Sequence, residues 1–173
     1  MALKKVKLSN IIPNKYRHFD TYPIQPDKID SLLESIDASG FWGETIVARP
    51  NGNKYELAFG HHRWQAAIQH YGENKMVEIS VRDLDNDMML KMMARENSEV
   101  YDANAAMDIE LVKSAIEAHA IEEIHLPKGK GNKCLRPESY CQCTGDREGF
   151  SREGLAKYLG TPQWRVNEAL GHL

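Results

Sequence analysis

The sequence predicts an α+β protein that continues into a segment made only of helices. Two patterns carry this prediction. As far as residue 81, runs with strand-like alternation of apolar residues are interleaved with runs of helical periodicity, whereas only helical patterns follow. The chain has 173 residues, of which 42% are hydrophobic, so it is long and apolar enough for one ordinary domain with a small addition.

The first half of the chain contains most of the predicted strands. Residues 8–12 are predicted to form a short strand. A helix is predicted over Pro26–Ser39 because its apolar residues recur at helical spacing, a proline stands at its start and Gly40 follows its end. Two β-rich runs, 45–49 and 54–59, flank a turn rich in Pro, Asn and Gly, which predicts a hairpin.

The remaining predicted elements are one strand and several helices. A helix is expected over 61–70, and the alternation in 76–81 predicts another strand. The helix predicted over 86–97 carries a stripe of methionines, which is typical of core packing. An amphipathic helix over 103–118 follows, and two short helices fill 152–170.

Charge is distributed unevenly along the chain. The net charge is −3, but the residues from 128 onward carry +3 and those before them carry −6. The total excludes a protein that coats nucleic acid through charge alone, while the basic tail is compatible with nucleic-acid contact. No run approaches the roughly 18 apolar residues of a membrane-spanning helix, and the N-terminus lacks the apolar core of a signal peptide. We therefore expect a cytoplasmic protein without a membrane partner.

Residues 127–149 interrupt the helical pattern and are predicted to form a loop. The loop contains Cys134, Cys141 and Cys143, and His125 precedes it. In a cytoplasmic protein these cysteines are reduced thiols or metal ligands. Zinc is one alternative, but the segment lacks the Cys-x2-Cys pair typical of zinc sites, so free thiols are the favoured interpretation.

The junction between the run 54–59 and the next helix is the most informative stretch. Gly60 is followed at once by His61, His62 and Arg63, at the predicted start of the helix. Glycine lets the backbone approach a ligand, a helix N-terminus favours negative charge, and a guanidinium can bind two phosphate oxygens. Spacing alone leaves two interpretations open: a phosphate site, or a strand-to-helix turn with solvated imidazoles.

The last pair of helices has the pattern of a helix-turn-helix. Ser151 is the expected N-cap of the first helix, Gly160 makes the turn, and Thr161 is the expected N-cap of the second, with Pro162 as its first residue. The first residues of a recognition helix reach base edges and phosphates. An ordinary helical hairpin is the alternative. The expected DNA-contacting residues are Thr161, Gln163, Trp164, Arg165 and Asn167.

Taken in order, these motifs resemble the N-terminal domain of the ParB partition proteins, within the ParB/sulfiredoxin superfamily. That family has Gly-Glu-Arg-Arg-x-x-Ala-Ala at its phosphate-binding stretch, a Glu-Asn pair further on and a helix-turn-helix after it. The matching stretches here are Pro13-Asn14, Gly40-Phe41, residues 46–50, the run from Gly60-His61-His62-Arg63 to Ala66-Ala67, Glu96-Asn97 and residues 151–170. The resemblance implies a small mixed sheet with flanking helices.

The resemblance also implies two functional parts along the chain. Residues 1–100 would form a nucleotide-binding domain, and residues 101–173 a helical DNA-binding segment. A nucleoside triphosphate, CTP or ATP, would be bound together with Mg²⁺. The implied phosphate-binding residues are Gly60, His61, His62, Arg63 and Arg17, and the implied Mg²⁺ ligands are Glu96 and Asn97.

Three positions depart from the family pattern. His61 and His62 stand where the family has Glu and Arg, and Val100 stands where the second motif continues to an arginine. These departures leave the nucleotide base open. Sulfiredoxin has a catalytic cysteine in this motif where the present chain has His61, so sulfiredoxin activity is not expected.

The leading prediction is a nucleotide-responsive DNA-binding protein of the partition or transcription-regulator type. The enzymatic alternative is a ParB-like nuclease, or a nucleotide-dependent phosphotransferase or NTPase, in which His61 or His62 carries protons. A third alternative is a DNA-binding regulator whose first domain has lost nucleotide binding. Homodimerisation and the DNA site stay open.

Overall fold

The computed structural model describes residues 2–100, 105–121, 123–126 and 151–173. The chain divides into two compact units. Unit 1 comprises Met1–Lys15 and Pro23–Asp85, and unit 2 comprises Tyr16–Tyr22 and Asn86–Leu173. Residues Tyr16–Tyr22, the 16–22 segment, thus belong to unit 2, although the chain on both sides of them belongs to unit 1.

Unit 1 is built on a five-stranded mixed sheet. The order of its strands is β1-β5-β3-β4-β2. The pairs β1/β5 and β3/β4 are antiparallel, whereas β3/β5 and β2/β4 are parallel. The predicted fold class, a small mixed sheet with flanking helices, is therefore confirmed. The strands are β1 (Ala2–Lys7), β2 (Ile11–Ile12), β3 (Val47–Asn51), β4 (Lys54–Phe59) and β5 (Met76–Val81).

Two helices of unit 1 pack on each other, and the second of them packs against the sheet. They are α1 (Pro26–Ser39), whose predicted bounds are confirmed, and α2 (His61–Tyr71). Ile29, Ile36 and Ala66 form the buried contact between them. The sheet contributes a second buried cluster that includes Leu8, Ile46, Leu57 and Ile79.

The strand predicted over residues 8–12 is only partly correct. Leu8–Asn10 is a single 3-10 turn, and only Ile11–Ile12 pairs in the sheet. The turn is fixed because the N–H groups of Leu8 and Ser9 donate to the carbonyls of Lys75 and Glu73, outside the sheet ladder. The edge strand β1 was not predicted.

The described helices of unit 2 are α3 (Asn86–Val100), α4 (Ala105–Ala120), α5 (Arg152–Leu159) and α6 (Gln163–Leu170). Met89 and Met93 of α3 are buried, which confirms the core interpretation of the methionine stripe. The predicted division after residue 100 assigns α3 and the 16–22 segment to the nucleotide-binding domain, whereas both belong to unit 2. In the described part of the chain, every helix is too short or too polar to cross a bilayer.

The turn between α5 and α6 follows the predicted pattern except at one position. The Ser151 hydroxyl accepts the Gly154 N–H at 2.9 Å, so the first N-cap is confirmed. Gly160 ends α5 with a φ of 70°, a left-handed conformation that favours glycine. The N-cap expected at Thr161 is wrong: Pro162 holds the cap position, and its extended ψ of 141° delays the first helical residue to Gln163.

Candidate functional site

The site begins with the sharp junction between β4 and α2. Gly60 is the N-cap of α2 and has a φ of 95°. A Cβ at this position would lie 3.2 Å from Cγ1 of Ile46, so a side chain would be crowded as well as strained. The glycine also has no side chain with which to cap the helix. The N-terminus of α2 is therefore the kind of helix end at which anions bind.

Arg63 lies in the first turn of α2 and lines a groove of about 220 Å³. Nη1 of its guanidinium is 3.5 Å from the carbonyl oxygen of Thr45, at the limit of a hydrogen bond. The other groove walls are largely apolar and include the exposed indole of Trp42. Aromatic walls suit a planar ring, and a guanidinium at the edge suits a phosphate. Arg63 shares these walls with Leu32, Ile36, Phe41 and Trp42.

The two histidines beside Arg63 are turned toward the protein backbone. His61 and His62 are both buried. Nε2 of His61 accepts the N–H of Asn14 at 3.0 Å, and Nε2 of His62 accepts the N–H of Gln25 at 3.3 Å. A backbone N–H can only donate, so each Nε2 is an unprotonated acceptor. The interpretation as solvated imidazoles is wrong, because both rings are buried and Nε2 of each ring accepts a backbone N–H.

A largely buried ion pair, absent from the sequence-based predictions, supports the same part of unit 1. Glu56 of β4 is buried, and its Oε2 accepts Nε and Nη2 of Arg49 at 2.9 and 2.8 Å. Oε1 accepts the N–H of Lys15 at 3.0 Å. The third Arg49 nitrogen, Nη1, donates to the Leu84 carbonyl at 3.1 Å. A glutamate between the apolar neighbours of a strand was the available signal.

Arg17, the fifth expected phosphate residue, belongs to unit 2 and is buried there. Its Nη2 donates to the carbonyl of Tyr22 at 3.0 Å, and its guanidinium lies 4.4 Å from the centre of the Tyr22 ring. Its Nε is 3.8 Å from Oε1 of Glu110. The alternative interpretation of Arg17 as a surface residue is therefore wrong.

Glu110 of α4 is the buried acid of this cluster. Its side chain is fully buried, and Oε1 accepts the N–H of His18 at 2.9 Å. No group in the described part of the chain donates a hydrogen bond to Oε2. Burial raises the pKa of Glu110 from 4.5 to about 7, against the lowering effects of Arg17 and of the His18 N–H.

Glu110 should make the stability of the protein dependent on pH. Between pH 4.5 and about 7 the folded state keeps a proton that the unfolded chain has lost, so the free energy of unfolding falls as pH rises through this window. We expect the wild type to lose about 3 kcal/mol more than a Glu110→Gln variant across it. Urea unfolding of both proteins at several pH values measures the difference. If the free energies of unfolding of the two proteins changed in parallel with pH, Glu110 would not be the source of the pH dependence.

The expected metal ligands receive little support. Glu96 lies on α3 with a half-buried side chain, and the side chain of Asn97 is outside the described residues. Where side chains are described, no group of three or more His, Cys, Asp or Glu could hold a metal ion. Cys134, Cys141 and Cys143, with the zinc alternative that they raise, also lie outside the described residues.

The expected DNA-contacting residues fall into two groups. Gln163, Trp164 and Asn167 are exposed on α6, and the Trp164 side chain is 64% accessible. Arg165 instead forms a bidentate ion pair with Asp108 of α4, at 2.7 Å from Nε and 2.5 Å from Nη2. Thr161 is half-buried. Arg165 therefore fastens α6 to α4 within unit 2, while the other three present polar and aromatic groups to solvent.

The chain is similar to a protein-family model and to a curated relative. Residues 1–98 match the family model described as the ParB N-terminal domain. A probable chromosome-partitioning protein ParB from Coxiella burnetii is 28% identical over 130 residues, which are 74% of the present chain. The chain spans only 43% of the length of that relative.

Two solved structures are also similar. Both are C-terminally truncated ParB from Caulobacter crescentus, one complexed with CTP-gamma-S and the other with the centromeric parS site. They are 19% and 21% identical to the present chain, cover 98% and 96% of it, and give TM-scores of 0.48. The present chain covers 77% and 70% of the two structures.

Proposed function

The chain belongs to the ParB N-terminal domain family, and on this premise we propose that it is a nucleotide-responsive DNA-binding protein of the partition type. The observation that carries the proposal is the position of Arg63. It stands in the first turn of α2, beside the left-handed Gly60, and lines an apolar groove. One ligand with an anionic end and a planar ring, a nucleotide, would satisfy both features.

The nucleotide is proposed to bind with its phosphates at the N-terminus of α2 and its base toward Phe41 and Trp42. The guanidinium of Arg63 would bind phosphate oxygens through two parallel hydrogen bonds. CTP and ATP are both candidates, because no described residue of the groove singles out one base. Mg²⁺ is proposed to accompany the phosphates, because Mg²⁺ in nucleotide sites is usually bound through the substrate phosphates.

Calorimetric titration of the whole chain with CTP and with ATP, each with Mg²⁺, tests nucleotide binding. We expect saturable binding of at least one of them, weakened when EDTA removes the metal. GTP and ADP serve as comparison ligands. The absence of heat with all four would rule out a nucleotide-responsive protein and would favour the regulator that has lost nucleotide binding.

DNA binding is proposed for the exposed side of α6. Gln163 and Asn167 can hydrogen-bond to base edges, and the Trp164 indole can contact a thymine methyl group. Because Arg165 is engaged with Asp108, contacts to phosphate must come from other cations, such as the exposed Arg152 and Lys157 of α5.

Replacement of Trp164 by alanine should weaken DNA binding without weakening the fold. The side chain is largely exposed, so we expect the free energy of unfolding to change by less than about 0.5 kcal/mol. The loss of a base contact should lower DNA affinity by at least about fivefold. The DNA affinity is measured by fluorescence anisotropy in the absence of nucleotide. The DNA is a duplex that the wild-type protein has selected from a random library. Trp42→Ala, which removes an equally exposed indole from unit 1, is the matched control.

The enzymatic alternative is less well supported. It requires a histidine that exchanges protons with a substrate, and the Nε2 atoms of His61 and His62 accept backbone hydrogen bonds instead. Incubation with plasmid DNA, and separately with ATP or CTP and Mg²⁺, tests it: product formation that His62→Gln abolishes would restore the enzymatic function.

A further inference from the structure

We propose that His61 and His62 are positioning residues that fasten both flanks of the 16–22 segment to the N-terminus of α2. Their side chains would thereby transmit the state of the phosphate site to unit 2. The part of this inference that concerns ligand transmission rests on the proposed function, whereas the fastening itself does not.

The first observation is the pair of acceptors. His61 holds the N–H of Asn14, which stands before the 16–22 segment, and His62 holds the N–H of Gln25, which stands after it. The two histidines are adjacent in sequence and buried at the same helix end. One turn of α2 thus fixes the chain where it leaves unit 1 and again where it returns.

The second observation is how short and stiff the two connections are. Only Lys15 separates Asn14 from the segment, and the Lys15 N–H is itself held by Oε1 of Glu56. On the other side, Pro23 and Ile24 separate Tyr22 from Gln25, and the proline ring fixes one backbone dihedral. A displacement of either histidine should therefore also displace the 16–22 segment, because the connecting residues can absorb little of it.

The third observation is how firmly unit 2 holds the segment. The Ser114 hydroxyl donates to the carbonyl of Tyr16 at 2.6 Å, and the Tyr16 hydroxyl donates to Glu123 at 2.8 Å. The Glu110 carboxylate accepts the N–H of His18 at 2.9 Å, and it also faces Arg17. The 16–22 segment is thus an integral part of unit 2 whose two flanks are fixed in unit 1.

These facts explain why imidazoles suit these two positions. A histidine Nε2 is a rigid acceptor that reaches a backbone N–H from a buried ring. A glutamine places its Oε1 at a similar distance and can replace the acceptor, whereas a phenylalanine fills a similar volume without accepting. Comparison of the Gln and Phe variants of each histidine therefore separates the effect of the hydrogen bond from the effect of ring packing.

Hydrogen–deuterium exchange of the whole chain tests the fastening without any nucleotide. In His61→Phe we expect the Asn14 amide to exchange at least about tenfold faster than in the wild type, since one hydrogen bond is lost. In His62→Phe we expect the same increase for the Gln25 amide. The 16–22 segment should exchange faster in both. The Gln variants should stay near the wild type. Equal exchange in the Phe and Gln variants would overturn the proposal.

A variant-free measurement covers the case in which the Phe variants do not fold. In the ¹⁵N-labelled wild type, we expect a scalar coupling across the hydrogen bond between the Asn14 amide nitrogen and Nε2 of His61, and the same for Gln25 and His62. Both rings should carry no proton on Nε2. A protonated Nε2 in either ring would show that the fastening is absent.

Transmission is tested by adding CTP or ATP with Mg²⁺ at a concentration that calorimetry shows to be saturating for each variant. The wild type and the Gln variants should change the exchange of the 16–22 segment on binding, and the Phe variants should not. If the wild type binds no nucleotide, the proposed function fails while the nucleotide-free exchange still decides the fastening. If the wild type binds and the segment does not respond, transmission alone is overturned.

Discussion

Replacement of Glu56 by alanine is expected to destabilise the protein by about 3–5 kcal/mol, because it breaks the ion pair between the buried Glu56 carboxylate and the largely buried Arg49 side chain. The Arg49 and Glu56 side chains are only 15% and 2% exposed, so water cannot replace the lost carboxylate fully. The same change removes the acceptor of the Lys15 N–H. The free energy of unfolding, measured in urea, reports the effect.

Two other variants make this result interpretable. Glu56→Gln keeps an acceptor for Lys15 but not the charge, so its stability should lie between those of the wild type and Glu56→Ala. Glu78→Ala removes an exposed glutamate from β5 of the same sheet and should change the stability by less than about 0.5 kcal/mol. A loss at Glu56→Ala as small as that of Glu78→Ala would show that the ion pair does not support the fold.

Replacement of Arg63 by alanine is expected to weaken nucleotide binding by about tenfold to a hundredfold, the usual range for a charge-assisted hydrogen bond. The contact of the guanidinium with the Thr45 carbonyl is long at 3.5 Å, so the loss of that contact should cost the fold little. Calorimetric titration with the nucleotide that binds the wild type measures the loss.

Arg63→Lys separates charge from geometry. It keeps the positive charge but not the planar fork, so its affinity should fall between those of the wild type and Arg63→Ala. Arg152→Ala, in unit 2, should leave nucleotide affinity unchanged. Wild-type affinity in Arg63→Ala would remove this residue from the nucleotide site.

Much of the fold could be predicted because local signals agreed with it. The bounds of α1 are confirmed because Pro26 and Gly40 mark its ends and its apolar residues follow one period. The edge strand β1 was missed because Lys4, Lys5 and Lys7 conceal its alternation, and charged edges of this kind are how sheets avoid pairing with other chains.

The location of the site in the chain could be predicted from the sequence, but the hydrogen-bond partners of its residues could not. The spacing of Gly60 and Arg63 in the sequence indicates a helix N-terminus that suits an anion. The partners of His61 and His62 are backbone groups 47 and 37 positions earlier in the chain, which no local pattern encodes. The same holds for Arg165, whose partner Asp108 lies on α4, 57 positions away.

The proposed function requires that one chain binds a nucleotide and DNA and that the two binding events are linked. The most direct test measures the affinity for the selected duplex by fluorescence anisotropy, with and without saturating CTP or ATP and Mg²⁺, in the wild type and in Arg63→Ala. We predict that nucleotide changes the DNA affinity of the wild type by at least about fivefold and leaves Arg63→Ala unchanged. The same DNA affinity with and without nucleotide in the wild type would show that the two binding events are not linked.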